Sequence, residues 1–324
     1  MNRSNPQDSL PTANVASLKA RAMLLKRLRR FFDERDFFEV ETPLLSRDTV
    51  VDRHLHPIQV KRQQITGQAA DAGAVMFLQT SPEFSMKRML AAGAESIYQI
   101  CKAFRAGEAG SQHNPEFTML EWYRVGDDMQ QGIELLEQLV QSILGTKSST
   151  RISYRTAFVR ATDLDPFTAS IGQLASLSKL ESELDRDEHL NVILSQHVQP
   201  QLGVDAPEVL YHYPASQAAL AKTKFEDDVE VAERFEIFYR GVELANGYHE
   251  LLDADELLAR NDKINQQRVA DGQSALPVNS RLLTAMRTGI PSCAGVALGV
   301  DRLLMLALQE NQIESVIAFP FDRA

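Results

Sequence analysis

The fold of this chain is decided by two neighbouring runs of sequence, Phe104-Arg105-Ala106-Gly107-Glu108 and His113-Asn114-Pro115-Glu116-Phe117-Thr118-Met119-Leu120-Glu121-Trp122-Tyr123. They concentrate an arginine, several acids, an amide and aromatic rings in twenty residues. A buried charge without a partner costs several kcal/mol, so an apolar core would not hold this set. The runs therefore predict a site for a charged ligand. A charged antiparallel hairpin with one solvated face is the alternative interpretation.

The residue types in this segment suit a nucleotide beside an amino acid. Arg105 has the planar geometry that binds a carboxylate or a phosphate through two hydrogen bonds. Phe117 offers a face on which a purine can stack, and Glu121 with Tyr123 can receive an ammonium group. Arg105, Phe117, Glu121 and Tyr123 are therefore candidate ligand contacts.

The segment resembles motif 2 of the class II aminoacyl-tRNA synthetases, in the form carried by the lysine-specific branch. Residues 37–43 (Phe-Phe-Glu-Val-Glu-Thr-Pro) resemble motif 1, and residues 295–302 (Gly-Val-Ala-Leu-Gly-Val-Asp-Arg) resemble motif 3. The three motifs occur in the order of that family and span most of the chain. The resemblance implies an α+β fold with an antiparallel sheet flanked by helices. It also implies ATP as a substrate, Mg²⁺ as a cofactor and a homodimer built through motif 1.

Three features indicate the branch of this family whose members attach (R)-β-lysine to elongation factor P. Only 36 residues precede motif 1, so we expect no anticodon-binding domain. The net charge of −10 disfavours a polyanion, and tRNA is not expected as a partner. Ala297 stands where lysyl-tRNA synthetases usually have glycine, and its methyl group would reshape the amino-acid pocket. The expected partners are elongation factor P as acceptor and lysine or (R)-β-lysine as substrate.

Two alternatives in other functional classes remain open. A stand-alone lysine-activating synthetase would transfer the amino acid to tRNA. A catalytically silent paralogue would have lost key acids or arginines, yet Arg105, Glu236, Glu243 and Arg302 are all present.

Composition sets the outer limits of the interpretation. The chain has 324 residues, of which 44% are hydrophobic and 24% charged, as expected for a single catalytic domain over residues 1–324 with a flexible segment at 1–12. No apolar run is long enough for a membrane span and no signal sequence is visible, so no membrane partner and a cytoplasmic location are expected. Cys101 and Cys293 do not suggest a disulfide framework. His54 and His56 lack further clustered ligands, and a zinc site is not predicted.

Hydrophobic spacing predicts several helices among alternating strands. Helices are predicted before motif 1, over residues 127–144 with Gly145 as the stop, and over residues 253–270, with a helical insertion at about 162–201. The apolar face of the first helix is predicted to comprise Leu18, Ala22, Leu25, Leu28 and Phe32, and that of the second Met129, Ile133, Leu136, Val140 and Ile143.

A second chemical cluster lies at residues 236–250. Glu236 and Glu243 are predicted on neighbouring antiparallel strands joined near Arg240-Gly241, where both carboxylates would meet the same magnesium ions. The resemblance implies the same metal role for this pair. It further implies that Asn246 holds the substrate carboxylate and Glu250 the distal ammonium. For Glu250, an acidic loop that caps a helix is the alternative.

The resemblance assigns the remaining contacts. Ser81 and Glu83 would face the substrate amino group, although Glu83 would also be favoured at a helix N-terminus that begins after Pro82. Gly107 stands where many relatives carry the glutamate that contacts adenine, and Glu108 is expected to replace it by a shift of one residue. The implied substrate contacts are Ser81, Glu83, Glu121, Tyr123, Asn246, Glu250 and Ala297. The implied ATP contacts are Arg105, Glu108, His113, Asn114, Phe117, Glu243, Leu244, Gly299 and Arg302.

The implied reaction has two steps. The substrate carboxylate, held near Arg105 and Asn246, attacks the α-phosphorus of ATP to give an aminoacyl-adenylate. Magnesium on Glu236 and Glu243, together with Arg302, stabilises the leaving pyrophosphate. A lysine ε-amine of elongation factor P then takes the acyl group. Arg105 and Arg302 are the predicted catalytic residues.

Overall fold

The structure, a computed structural model, describes residues 9–71 and 73–324. Residues 1–8 of the predicted flexible segment therefore lie outside the described residues. The helices are α1 (Val15–Asp33), α2 (Arg62–Thr66), α3 (Glu83–Ala91), α4 (Met129–Leu144), α5 (Tyr154–Thr162), α6 (Ile171–Ser178), α7 (Arg186–Ile193), α8 (Ala254–Ala270), α9 (Arg281–Thr288) and α10 (Val300–Leu308). The strands are β1 (Phe38–Glu39), β2 (Leu45–Ser46), β3 (Gln59–Lys61), β4 (Val75–Leu78), β5 (Ser96–Phe104), β6 (Glu116–Val125), β7 (Thr150–Ser153), β8 (Glu208–Pro214), β9 (Thr223–Glu226), β10 (Val229–Tyr239), β11 (Val242–His249) and β12 (Cys293–Gly299).

The first of two compact units comprises the described residues up to Val125 together with residues 252–291 and 297–324. Its centre is the antiparallel pair of β5 and β6, in which Gln99 lies opposite Glu121. Strand β1 adds to β5 in parallel, and β2, β4 and β3 form a separate three-stranded sheet. Helix α10 packs on β6. The motif 2 segment is thus a long hairpin whose strands carry its polar side chains.

Helix α1 enters motif 1 as predicted, but its buried face differs from the predicted one. Asn14 caps the helix by accepting a hydrogen bond from the backbone N–H of Ser17. Leu24 is buried, whereas Ala22 is exposed, so the prediction for Ala22 was wrong. The buried positions are Ser17, Leu24, Leu28, Phe31 and Phe32, which follow one helical face. The predicted face was rotated because Ala22 and Leu25 were counted instead of Leu24.

Residues distant in sequence meet in the first unit. The Thr12 N–H donates to the carbonyl of Ala318 at 2.9 Å. Asp301, at the start of α10, accepts from Arg21 at 2.6 Å and from the Thr118 N–H at 2.7 Å. Asp301 is 2% exposed, so its pairing with Arg21 holds motif 3 against α1 and β6 within this unit.

The second compact unit comprises residues 126–251 and 292–296. Its strands pair in the order β11, β10, β8 and β7, with β9 added to β10. Helix α4 packs on β10 and β11, and its predicted buried face is confirmed. Asp128 forms a capping box with Gln131, and Gly145 ends the helix at φ 71°. Helices α6 and α7 confirm the predicted helical insertion. Helix α8, which belongs to the first unit, confirms the predicted polar helix.

The predicted α+β class is confirmed, and the strand pairs that carry the site are antiparallel. In the first unit β1 pairs with β5 in parallel, and in the second unit β7 pairs with β8 in parallel, so the pairing within each unit is mixed rather than purely antiparallel. In the described part of the chain, no helix is both long and apolar enough to cross a membrane. The single-domain interpretation remains a prediction.

Candidate active site

The first unit contains a buried group of polar side chains that we call the acidic cluster: Ser81, Glu83, Lys87, Glu121 and Tyr123. Glu121 is 1% exposed and accepts from the Tyr123 hydroxyl at 2.6 Å and from the Ser81 hydroxyl at 2.7 Å. Glu83, the first residue of α3, accepts from Lys87 one helical turn later at 2.6 Å. Glu121 and Tyr123 alternate with buried Trp122, so they project from the same face of β6. The structure therefore brings together four predicted substrate contacts.

The acidic cluster holds two carboxylates and one ammonium in little water. Burial raises the pKa of Glu121 to about 7, and the neighbouring charge of Glu83 adds to this effect. The hydroxyl donors of Tyr123 and Ser81 and the charge of Lys87 act in the opposite direction. An added cation would favour the ionised form of Glu121. The cluster is thus suited to binding an ammonium group.

Lys87 is the residue of this cluster that the sequence interpretation missed. It is 2% exposed, and its Nζ lies 6.0 Å from the centroid of the Tyr123 ring. Its spacing of four from Glu83, in a helix that begins after Pro82, was visible in the sequence and is the spacing of a helical ion pair. Lys87 compensates the charge of Glu83, and its charge also lowers the pKa of Glu121, so one ammonium serves two buried carboxylates in this cluster.

The turn of the motif 2 hairpin carries Arg105 and Glu108, and Phe117 lies next to it on β6. The Arg105 guanidinium lies 5.0 Å from the centroid of the Phe117 ring, and its Nη1 lies 3.8 Å from Glu108. Its buried Nε has no hydrogen-bond partner among the described residues. Gly107 has φ 82°, a left-handed conformation that disfavours a glutamate at this position. The backbone thus explains the glycine, and the adenine contact by Glu108 remains a prediction.

Motif 3 places Arg302 beside the same hairpin. Arg302 lies in the first turn of α10, after the N-cap residue Gly299, and its Nη2 is within hydrogen-bond distance of His113 Nε2. Its Nε donates to the carbonyl of Gln112 at 3.4 Å. Ala297 is half-buried on β12. Arg302 and His113 therefore occupy one place in the first unit, as two predicted ATP contacts would.

Asn114 is engaged within the protein. Its side-chain N–H donates to the carbonyl of Glu116 at 2.6 Å, and its Oδ1 accepts from the Phe321 N–H at 2.9 Å. This pairing fixes the hairpin loop to the C-terminal segment. An ATP contact by Asn114 remains a prediction.

The second unit brings Glu236, Glu243 and Asn246 to one face of the β10–β11 pair. The strands are joined by the predicted turn, in which Arg240 has φ 52° and Gly241 φ 71°. Glu236 lies opposite Asn246, and Phe238 lies opposite Glu243. The register shifts between Ile237 and Phe238, so one residue of β11 is unmatched there.

This shift decides which side chain joins Glu236. In a regular ladder Leu244 would lie opposite Phe238, and Glu243 would point to the other face. The bulge leaves Leu244 buried at 2% exposure and turns Glu243 to the face of Glu236. Burial raises the pKa of Glu236, and the charge of Glu243 raises it further, which reflects their proximity.

Arg234 and Tyr213 hold Glu236 in place, and the sequence interpretation predicted neither contact with this carboxylate. Arg234 donates to one oxygen of Glu236 at 2.6 Å, and the Tyr213 hydroxyl donates to the other at 2.5 Å. The Arg234 guanidinium also lies 4.4 Å from the centroid of the Tyr213 ring. Arg234 opposes the increase in the pKa of Glu236, so it favours the carboxylate form.

Asn246 and Glu250 complete the predicted residues of this unit. The buried Oδ1 of Asn246 has no hydrogen-bond partner among the described residues, as expected of a group that awaits a ligand. Glu250 is 1% exposed, directly after β11, and its N–H donates to the carbonyl of Cys293 at 3.0 Å. It does not cap a helix at this position, so the capping interpretation of Glu250 was wrong.

The Glu236–Glu243 pair fits a magnesium ion. Two carboxylates on one strand face offer hard oxygen donors, and Mg²⁺ is usually held by one or two carboxylates plus phosphate oxygens and water. Among the described residues, no group of three or more His, Cys, Asp and Glu could hold a metal ion. The phosphates of ATP would therefore supply further ligands.

Comparison with known proteins gives the family. The family model described as tRNA synthetases class II (D, K and N) matches residues 10–323. The chain belongs to the class II tRNA synthetase family. This class II chain is 47% identical to a protein of Yersinia enterocolitica named elongation factor P-(R)-beta-lysine ligase, over 97% of the chain and 98% of the relative. Proteins of the same name from Proteus mirabilis and Klebsiella pneumoniae are 46% and 45% identical, each over 98% of the relative.

The predicted family, the predicted branch and the ligase class are thereby confirmed. The residue assignments within each unit remain predictions, supported by the contacts described above.

Proposed function

We propose that this class II chain activates (R)-β-lysine with ATP and transfers it to a lysine ε-amine of elongation factor P. The near full-length similarity to ligases of that name carries the proposal. The acidic cluster agrees with a substrate that bears an additional ammonium group. In the proposed reaction the substrate carboxylate forms a mixed anhydride with AMP and releases pyrophosphate. The acceptor amine then forms an amide and releases AMP.

We propose that Arg105 and Asn246 orient the carboxylate of the substrate. The amino groups of the substrate are bound by four side chains of the acidic cluster: Ser81, Glu83, Glu121 and Tyr123. The carboxylate of Glu250 is a further partner for these amino groups. A cation held by buried, hydrogen-bonded carboxylates is selected over an uncharged side chain, because the uncharged one leaves their charge uncompensated. Glu236 and Glu243 would hold magnesium, which when bound neutralises the charge of the ATP phosphates. Arg234 and Tyr213 favour the ionised form of Glu236 and orient its carboxylate for that role.

The first test is a competition between two acceptors. Purified protein, ATP and magnesium are incubated with labelled (R)-β-lysine or α-lysine in the presence of both elongation factor P and bulk tRNA. Label that protease releases, strongest with (R)-β-lysine and abolished by EDTA, is the expected result. Label that ribonuclease releases would contradict the proposal and identify a tRNA-charging enzyme.

A pH dependence of substrate binding follows from the pKa of Glu121. In the protein without substrate, the Glu121 carboxyl has a pKa of about 7, and the ammonium of the substrate binds its ionised form. Below pH 7 binding must therefore release a proton, so affinity falls as the pH falls. From pH 8 to pH 6 the ionised fraction drops about tenfold, and we expect the Kd of the amino acid to rise by about the same factor. Calorimetry without ATP measures it, since the ATP phosphates also titrate in this range.

The matched control is Glu121→Gln, which removes the titrating group. The Kd of this variant for the amino acid should be larger than that of the wild type at pH 8 and should vary little between pH 6 and pH 8. A slope that persists in this variant would assign the titration to another group.

We also propose a homodimer through motif 1. Val15, Met23 and Phe38 are 66%, 57% and 52% exposed on α1 and β1, which is apolar surface that a second copy would cover. The cytoplasmic location remains a prediction from the sequence.

A further inference from the structure

The second unit contains a group of polar side chains that the proposed ligase reaction does not use, which we call the Ser292 cluster: Lys222, Glu233, His249 and Ser292. Glu233 Oε2 lies 2.6 Å from His249 Nδ1. Nε2 of the same imidazole lies 3.1 Å from Ser292 Oγ. Lys222 Nζ lies 3.2 Å from Ser292 Oγ and 3.1 Å from His249 Nε2. The Ser292 hydroxyl, the His249 imidazole and the Glu233 carboxylate thus form a continuous chain of contacts in space, and the Lys222 ammonium lies beside the hydroxyl.

The carboxylate fixes the role of each imidazole nitrogen. An ionised Glu233 can only accept, so the neutral ring carries its proton on Nδ1, and its Nε2 lone pair faces both the Ser292 hydroxyl and the Lys222 ammonium, each at 3.1 Å. The hydrogen bond from His249 lowers the pKa of Glu233, and Lys222 and Lys224 act in the same direction. Glu233 is therefore ionised near neutral pH, as an orienting carboxylate must be.

The backbone around this cluster is tied together. The Lys222 N–H donates to the carbonyl of His249 at 2.9 Å, and the Glu233 N–H donates to the carbonyl of Lys222 at 2.8 Å. The Ser292 carbonyl accepts from the Gly126 N–H at 2.8 Å. These backbone bonds join Lys222 to both His249 and Glu233, so the positions from which these three side chains project are fixed without a bound ligand.

The residues of the Ser292 cluster differ in their exposure to solvent. Ser292 is exposed, whereas the side chains of His249 and Glu233 are only 14% and 17% exposed. A substrate can reach the hydroxyl while the base and its carboxylate are shielded from water. Alternation along β11 places His249 on the strand face opposite to Asn246, so this cluster is separate from the residues assigned to the ligase reaction in the same unit.

We propose that Ser292, His249 and Glu233 form a second catalytic site, which hydrolyses carboxylic esters and mixed anhydrides. Ser292 is the nucleophile, His249 the general base, and Glu233 the group that orients the imidazole. Lys222 supplies positive charge near the oxyanion, which forms on the acyl oxygen of the substrate, because its ammonium lies 3.2 Å from Ser292 Oγ and that oxygen becomes bonded to the carbon that carries the oxyanion.

The steps balance within the cluster and water. Ser292 Oγ attacks the acyl carbon while its proton passes to His249 Nε2. The bond from the acyl carbon to the leaving oxygen breaks, and that oxygen takes the proton from Nε2. Water then attacks the acyl-serine, gives its proton to Nε2, and the carboxylic acid leaves as Ser292 recovers a proton. The sum is one ester or anhydride and one water converted to an acid and an alcohol, or to two acids.

The test uses a fluorophosphonate probe, which labels only activated serine hydroxyls, on the full-length protein. Peptide mapping by mass spectrometry locates the label. Ser292→Ala removes the nucleophile, and His249→Gln removes the base while keeping a polar side chain. Ser216→Ala is the matched control, because Ser216 is exposed but its hydroxyl donates to the carboxylate of Asp187 at 2.8 Å. Thermal melts confirm that each variant is folded.

The expected result is label on Ser292 in the wild type and in Ser216→Ala, and none in Ser292→Ala. Labelling and p-nitrophenyl acetate hydrolysis should slow at least about tenfold in His249→Gln, because general-base catalysis typically contributes more than that. Folded wild type without label on Ser292, at a probe concentration that labels a known serine esterase, overturns the proposal. Equal rates in the wild type and His249→Gln also overturn it. Neither outcome bears on adenylate formation, which pyrophosphate exchange measures separately.

Discussion

Glu121→Gln is expected to weaken binding of the amino-acid substrate at least about thirtyfold, because loss of one partner from a buried charge pair costs about 2 kcal/mol or more. Glutamine keeps the size of the side chain, and its oxygen can still accept from Tyr123 or Ser81. What it removes is the charge, in a cluster where Lys87 already compensates Glu83. The Kd of (R)-β-lysine from calorimetry measures the effect, and the KM for ATP should change less than twofold.

The control for this prediction is Glu116→Gln on the same strand. The Glu116 side chain is 51% exposed and pairs with Lys102 across the hairpin at 3.2 Å. Exposed pairs contribute little, so this variant should bind the amino acid like the wild type. Equal weakening of amino-acid and ATP binding in Glu121→Gln would contradict the assignment of Glu121 to the ammonium.

Arg105→Ala is expected to lower the rate of ATP–pyrophosphate exchange by a factor of about 100 or more, as is usual when a charge-stabilising donor is removed from a reacting centre. The guanidinium lies over the Phe117 ring, and its buried Nε has no partner among the described residues. The side chain is 25% exposed and its Nη1 lies 3.8 Å from Glu108, so a ligand carboxylate or phosphate can take its terminal donors. The substitution removes them but leaves the hairpin backbone, in which the Arg105 N–H donates to the carbonyl of Pro115 at 2.9 Å.

Arg30→Ala is the matched control, since the Arg30 side chain is 79% exposed and pairs with Glu34 on the surface of α1. Its exchange rate should stay within twofold of the wild type. An Arg105→Ala protein that is folded by circular dichroism and keeps more than a tenth of the wild-type exchange rate would remove Arg105 from the catalytic residues.

The sequence predicted a structural feature correctly where that feature depends on residue types at a short, regular spacing along the chain. The helix after Pro82 and the turn at Arg240-Gly241 are as predicted, because each depends on residues adjacent in the chain. The motif 2 segment is a hairpin, as in the alternative interpretation, but its strands carry buried polar side chains such as Glu121 and Tyr123. Lys87 could have been found from the same information, since its spacing from Glu83 is that of a helical pair.

Other features depend on how strands pair, which spacing does not reveal. The register shift that leaves Leu244 unmatched turns Glu243 toward Glu236, and no local pattern marks it. Arg234 and Tyr213 reach Glu236 from the same strand and from a strand more than 20 residues away. The error at Ala22 has a related cause, because the choice between Ala22 and Leu24 as the buried residue depends on what α1 packs against.

The bond between Asn114 and the Phe321 N–H has a consequence for the order of events during protein synthesis. The hairpin loop is also held by the Ile313 N–H, which donates to the carbonyl of Ser111 at 2.8 Å. Both donors belong to residues translated about 200 positions after the loop they hold. The nascent chain therefore cannot complete this loop as the loop emerges from the ribosome, and must carry it unfinished until residues 313 and 321 have been made. Premature termination or trimming near residue 313 would yield a protein that retains Arg105 and Glu121 but has lost the two bonds that order the loop beside them.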